Sequence, residues 1–418
     1  MRHQFGKRAK ALRGTTSAAA VMTAIALTAA ACGGSSTPSS TTASNSPGND
    51  NFLSAPLKLA FLWSIKGEDA ASADYYNNGG AMAIEEINAA GGVGGQQIQT
   101  VRYQSSPLDP QNVVTNFLKA VDAKPAMIIG LAAPSAEAAS SAVTKAGIPT
   151  FSITQDQNLN LGAKAGSPWL WTTVTNDGLQ AVVAAKFVTE NLKAKSVGLL
   201  HTNESFGMTG SGIQKKILTA AGVKITANVP YAVDATDLTG PVLAVKSSDA
   251  VIDWGYPNPV GIQLNQFVQN NINIPTVTGG AAPYVVQGKL AKANALAKFY
   301  SIDPCNPADN SAANVVTWRN AYEAKYKEPA NASAAEAYDA VYLAVAAIKK
   351  AQSIDPQKIK DAIGSLKYTE GICTTDFHAD GAHNLMHSNT VISWATGVGK
   401  TQAVIPTADQ SEGVPDPK

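Results

Sequence analysis

Short runs rich in Val, Ile, Leu and aromatic residues recur along residues 57–278, and stretches of helical spacing separate them. Leu57 to Trp63 reads as a buried strand. Residues 79–90 follow with Ala83, Ile84, Ile87 and Asn88 on helical spacing, closed by Gly91-Gly92. Residues 98–103 are a second strand, and Asp109-Pro110 opens a helix through Lys119. Residues 126–130 form a third strand, 136–145 a helix and 149–153 a fourth strand. This βαβα rhythm predicts a parallel sheet with helices on both faces.

A second βα series begins near Asp177. Its strands are expected at 196–201, 224–229, 250–254 and 275–278, with helices at 179–192, 209–220 and 260–270 between them. The last third holds helical patterns at 310–327, 334–350 and 356–366, then β-like segments to Ile405. Two such series in one chain imply two α/β lobes. Ligands of open parallel sheets sit beyond the carboxyl ends of the strands, so the loops there are the candidate site.

The N-terminus changes the picture. Arg2, Lys7, Arg8, Lys10 and Arg13 lie in a stretch without an acid, residues 18–31 are apolar or small, and Cys32-Gly33 follows. That order marks a secretory signal over residues 1–31, and the apolar run falls short of the ~20 residues of a membrane span. Cys32 after Ala29-Ala30-Ala31 resembles the lipobox of bacterial lipoproteins, with Ala29 where leucine is usual; the resemblance implies an acylated Cys32. Residues 33–51, mostly Gly, Ser, Thr, Pro, Asn, Asp and Ala, read as a flexible tether, so 32–54 is assigned as lipidated cysteine and linker. The expected location is the extracytoplasmic face of the cell membrane, held by lipid.

The chain of 418 residues carries a net +1, and loss of the five leader cations leaves −4. A weakly acidic domain gives no electrostatic footprint for nucleic acid. Cys305 and Cys373 remain beyond Cys32; in an oxidising compartment pairing is favoured over two separate buried thiols.

Several segments together resemble the Leu/Ile/Val-type (type I) periplasmic substrate-binding proteins of ABC transporters. The longest is Gly79-Gly-Ala-Met-Ala-Ile-Glu-Glu-Ile-Asn-Ala-Ala-Gly-Gly-Val-Gly-Gly-Gln-Gln-Ile98, similar to the family's first helix and glycine turn. Asp109-Pro110, Gly147-Ile148-Pro149, Phe206-Gly207, Tyr338-Asp-Ala-Val-Tyr342 and Asp376-Phe-His-Ala-Asp-Gly381 fall in family order. The resemblance implies two doubly wound parallel-sheet lobes joined by a three-strand hinge. Lobe 1 would be 55–172 plus 303–385, lobe 2 174–301 plus 386–405, and 406–418 a tail. It also implies a protein that is no enzyme, that captures a small molecule between the lobes and hands it to the permease subunits of an ABC importer. A ligand-sensing receptor module on the same fold is the alternative.

Carried over residue by residue, the family's site is mixed. The loop that supplies a hydroxyl and an amide to a ligand carboxylate is Ala132-Ala133-Pro134-Ser135; the family serine falls near Ala133, and Ser135 serves only in a shifted loop. In the next loop, Thr154-Gln155-Asp156, Thr154 offers a hydroxyl and Asp156 lies nearer the family threonine by count. Phe206 matches an aromatic that packs on the ligand, and Tyr256 a tyrosine that borders its amino group. Ala281 stands where amino-acid-binding relatives place the acid that neutralises the ammonium. An unpaired buried ammonium costs several kcal/mol, so unless Asp253 or Asp156 takes over, a standard branched-chain amino acid is not the expected ligand. Trp63, Trp254, Tyr256 and Phe206 as flat walls suit an aromatic, amide-like or otherwise uncharged molecule.

Other signals are discounted. Gly397-Val-Gly-Lys-Thr401 lacks the first glycine of a P-loop, since position 394 is Trp394, and it reads as a hairpin turn. Gly207, Gly210 and Gly212 have the wrong spacing for a dinucleotide fingerprint. His378, His383 and His387 with Asp380 lie in a loop entering a strand, so no metal and no cofactor is expected. No hydrolase signature occurs.

Overall fold

The computed structural model describes residues 51–63, 70–105, 109–131, 135–153, 167–175, 177–374, 377–378 and 389–405. The expected signal segment, Cys32, almost all of the tether and the tail 406–418 lie outside these residues.

Five strands make the first sheet: β1 (Leu57–Trp63), β2 (Ile98–Gln104), β3 (Met127–Gly130), β4 (Thr150–Ser152) and β5 (Leu170–Thr172). They run parallel in the order β2-β1-β3-β4-β5. The helices α1 (Ala70–Ala89), α2 (Pro110–Asp122) and α3 (Ser135–Ala146) connect the first four strands. Strand β1 explains why the run 57–63 is apolar throughout. Leu57, Leu59, Phe61 and Trp63 join one core, while Ala60 and Leu62 join another with Val113, Phe117 and Val143 on the opposite face. A strand covered by helices on both sides has no polar face to show.

After β5 the chain leaves this sheet and enters α4 (Asp177–Lys186), which ends in a π-helical turn at Phe187–Asn191. The second sheet takes β6 (Ser196–Thr202), β7 (Lys224–Tyr231), β8 (Ala250–Trp254), β9 (Thr276–Thr278) and β10 (Phe299–Asp303), all parallel. Between them run α5 (Ser205–Ala220), α6 (Thr239–Val245), α7 (Pro257–Gln269) and the single-turn α8 (Ala282–Gln287). Its two faces again divide the strands. Leu199, Ile252, Trp254 and Val277 pack with α4 and α5, whereas Leu200 and Val251 pack with Val242, Val245 and Phe267.

From β10 the chain returns to the first lobe as α9 (Ala313–Tyr326), α10 (Ala332–Ala351) and α11 (Pro356–Ile363), then the two-strand ribbon β11 (Lys367–Tyr368) and β12 (Phe377–His378). Residues 337–348 of α10 and Ile359 and Ile363 of α11 belong to the same core as β1 and β3. A third passage leads to β13 (Asn389–Ser393) and β14 (Lys400–Ile405), an antiparallel hairpin that closes the order β14-β13-β10-β9-β8-β6-β7. The Gly397-x-Gly-Lys-Thr401 segment is therefore the turn and first residues of a hairpin. Cys305 and Cys373 are joined as a disulfide, with Cα atoms 5.5 Å apart.

The sequence expectation differs from the structure in a few elements. Helix α1 starts at Ala70, nine residues before the expected Gly79, and the short α6, α8, β5 and β10 were not separately anticipated. The start of α1 carries Tyr75, Tyr76, Asn77, Asn78, Gly79 and Gly80, poor helix formers in isolation. Tertiary packing holds it: a Cβ at Gly79 would stand 2.0 Å from the Ala334 carbonyl oxygen of α10. The glycine lets two helices touch backbone to backbone.

Candidate functional site

The carboxyl ends of β6, β8 and β9 build one side of the candidate site. Strand β6 runs out at Thr202, and Glu204 turns the chain into α5 by accepting hydrogen bonds from the backbone N–H of Phe206 (2.8 Å) and Gly207 (3.2 Å) and from the Thr202 hydroxyl (2.6 Å). A Cβ at Gly207 would lie 2.2 Å from the Thr202 carbonyl oxygen, so the turn admits only glycine. This fixes Phe206. Its ring stacks on Trp254 at 5.9 Å and meets Tyr256 at 5.6 Å. Phe206, Trp254 and Tyr256 thus form one aromatic cluster, assembled from the loops after β6 and β8.

Trp254 is the floor of that cluster. It is buried, its Nε1 has no partner, Gly210 of α5 sits against its pyrrole edge, and a Cβ at Gly279 would stand 3.4 Å from its benzo edge. Ala281, two residues further, precedes α8 and is buried, its own side chain offering no carboxylate. Asp253 does not reach toward this wall. Alternation along β8 puts it on the opposite face from Trp254, where the Tyr231 hydroxyl donates to its Oδ1 at 2.5 Å. Burial pushes the Asp253 carboxyl up to about 7, and the Tyr231 hydrogen bond only partly offsets that.

On the other side, β3 ends in two successive residues with positive φ, Gly130 at 129° and Leu131 at 66°. A leucine in the left-handed region is strained by about 1–2 kcal/mol. The Leu131 N–H donates to Leu62 (2.7 Å) and its carbonyl accepts from the Ser152 hydroxyl (2.7 Å), which holds the bend. Ser135 opens α3 just beyond, buried, with an Oγ that has no partner. Trp63, at the end of β1, lies in the first lobe's core: it packs on Phe61 and Tyr76, donates its Nε1–H to Asn77 (2.7 Å), and touches the position of Gly80. Ala133, Thr154, Gln155 and Asp156 lie outside the described residues, as do His383 and His387.

The structure thus brings Phe206, Tyr256 and Ala281 to the strand ends of one sheet, places Ser135 at the strand ends of the other, and packs Trp63 into the core. It also shows residues that sequence reasoning missed. Tyr284 of α8 meets Ser333 of α10 hydroxyl to hydroxyl and stands edge-on to Tyr75 of α1 at 6.0 Å, so the lobes touch there. Nearby, burial raises Asp303 to about 7 and Glu336 to about 8, the latter also by the charges of Asp303 and Asp339. Asp339 itself rises only to about 6, because the N–H groups of residues 372–374 donate to it. The one signal for Glu336 was an acid set in an alanine-rich apolar helix. Among the described residues no three His, Cys, Asp or Glu converge to hold a metal ion, and no helix is long and apolar enough to cross a membrane.

Residues 56–399 match the model of a family described as periplasmic binding protein. The leucine-, isoleucine-, valine-, threonine- and alanine-binding protein of Pseudomonas aeruginosa is 27% identical over 325 residues, covering 73% of this chain and 82% of its own. The branched-chain amino acid transporter substrate-binding protein LivJ of Streptococcus pneumoniae, solved with isoleucine, superposes with a TM-score of 0.74 at 26% identity, over 84% of this chain and 99% of that one. An R. palustris ABC-transporter solute-binding protein in complex with benzoate has a TM-score of 0.76 at 18% identity, over 86% and 99% of the two chains. A match over most of the length, on two parallel-sheet lobes with an aromatic wall at their strand ends, makes this chain a member of the periplasmic binding protein family, a type I solute-binding protein of ABC transporters and not an enzyme.

Proposed function

We propose that the chain is an extracytoplasmic lipoprotein that captures a small, uncharged or aromatic molecule between its lobes and delivers it to the permease subunits of an importer. The observation that carries the ligand class is the wall of Phe206, Trp254 and Tyr256 beside Ala281, a buried residue with no carboxylate of its own. Asp253 lies on the other face of β8 from Trp254, with one carboxylate oxygen taken by the Tyr231 hydroxyl, which supports the same reading. Relatives of this fold include proteins solved with isoleucine and with benzoate, so the cleft shape alone admits either chemistry. In this reading lobe 1 comprises 55–172 and 303–385, lobe 2 comprises 174–301 and 386–405, and Ser135 stands on the lobe 1 side of the ligand.

Calorimetry on the purified protein tests the ligand class. Leucine, isoleucine and valine are expected to bind with Kd above about 100 μM, equivalent to under roughly 5.5 kcal/mol. A thermal-shift screen of aromatic and amide compounds is expected to yield a tighter ligand, which Tyr256→Ala weakens by about 1–3 kcal/mol. Submicromolar binding of a branched-chain amino acid ends this reading. For the anchor, Cys32→Ala is expected to abolish partitioning into detergent; a variant that still partitions refutes acylation at Cys32.

A further inference from the structure

A cavity of about 450 Å³ lies at the hinge, with α8 and the β13–β14 hairpin of the second lobe on one side and α9 and the loop before α10 of the first on the other. That volume is in the range of small-molecule sites. The turn 279–281 separates it from the aromatic wall: Gly279 faces Trp254, whereas the next residue, Gly280, faces Asp303 Oδ1 at 3.6 Å from the position of a Cβ.

The lining is polar in a one-sided way. Asp303 is 3% exposed and has one carboxylate oxygen engaged by the Ser301 hydroxyl. Gln287 Oε1 is buried without a donor, and Asn331, 5% exposed, has an Nδ2 without an acceptor, its Oδ1 being spent on the cap of α10. The basic residue of the lining is Arg319, and its Nη1 is committed to the carbonyls of Pro307, Ala308 and Asn310. Glu323 accepts from the Ala330 N–H. Buried carboxylates with no cation are costly unless something neutralises them. With Arg319 Nη1 committed to carbonyls, a positive charge answers Asp303, and a donor and an acceptor answer Gln287 Oε1 and Asn331 Nδ2.

We propose that this hinge cavity is a second binding site, taking a small organic ammonium ion that also carries a hydrogen-bond acceptor. The ammonium group sits on Asp303 and Gln287 Oε1, and the acceptor takes the N–H of Asn331. Trp394 and Pro283 supply the apolar wall for the carbon chain. Because both lobes line the cavity, an occupant favours whichever lobe arrangement brings the two walls together.

The probe pair is 4-aminobutan-1-ol and its neutral counterpart butane-1,4-diol, read by thermal shift and calorimetry on the full chain at about pH 8, where a carboxyl raised by burial still ionises. The amino alcohol is expected to bind and the diol not. Asp303→Asn is expected to weaken the amino alcohol about tenfold or more. Val398→Arg, at a 56% exposed position of the same lining, places a cation at the mouth without disturbing the core and is expected to weaken it at low salt. Tyr256→Ala, in the aromatic wall, is expected to leave this binding unchanged. The proposal is overturned if the diol binds as well as the amino alcohol, if the amino alcohol does not bind, if Val398→Arg binds it like the parent protein at low salt, or if Tyr256→Ala abolishes it. Should Asp303→Asn not fold, Val398→Arg carries the test alone.

Discussion

Asp253, Asp303 and Glu336 each keep a carboxyl group away from water, and burial raises them to about 7, 7 and 8. A carboxyl whose pKa is higher folded than unfolded binds more protons in the native state. Its stabilisation is therefore complete below the ordinary carboxylate range and is lost as pH rises through the folded value. Asp249 and Asp309 are lowered by hydrogen bonds and act in the opposite sense, but they lie near the surface and matter only at strongly acid pH. Without ligand, Tm is expected to fall by several degrees between about pH 5 and pH 8.5. Glu336→Gln is expected to flatten that slope, and a parent Tm that rises over the interval refutes the account. Phe206, Tyr256 and Ala281 were singled out through the family resemblance, and the structure places each just beyond the carboxyl end of a strand of the second sheet. Glu336 and Asp303 could not be found in the sequence, because nothing in local spacing tells that an acid on α10 and one at the end of β10 converge.

Strands with two buried faces announce themselves, which is why β1 and β8 were legible to the residue, while the three-residue β5 and six-residue α8 were not. Helix α1 shows the reason for the larger miss. Its first half is held by contact with α10 rather than by its own propensity, and Gly79 is where that contact is closest. Gly79→Ala is expected to cost about 1–3 kcal/mol through forced separation of the two backbones. Gly212→Ala, at an exposed position of α5 with no atom within 4 Å of the added Cβ, should instead be neutral or slightly stabilising. Chemical denaturation compares the two. Equal effects would show that helix propensity, and not the α1–α10 contact, sets the cost.

At the level of the whole molecule the two-series pattern foretold two sheets, and family order foretold that the chain would pass between them three times. Neither could say what the passages do to one another. The Thr374 hydroxyl donates to the Thr173 carbonyl at 3.5 Å, which links the first passage to the segment before the third. The disulfide between Cys305 and Cys373 links that same segment to the second passage. For a sequence separation of 68 between the cysteines, chain entropy gives about 4 kcal/mol of stabilisation, and reduction is expected to remove that much.

The lacing also has a mechanical side. Passages left separate would let two bodies slide, shear and swivel independently; the first two passages, tied to the one segment at residues 373–374, restrict that freedom toward a single rotation. Reduced protein should therefore sample a broader distribution of shapes in small-angle scattering than oxidised protein, even where both remain folded. Identical scattering and identical stability in the two redox states would mean that the restriction lies elsewhere.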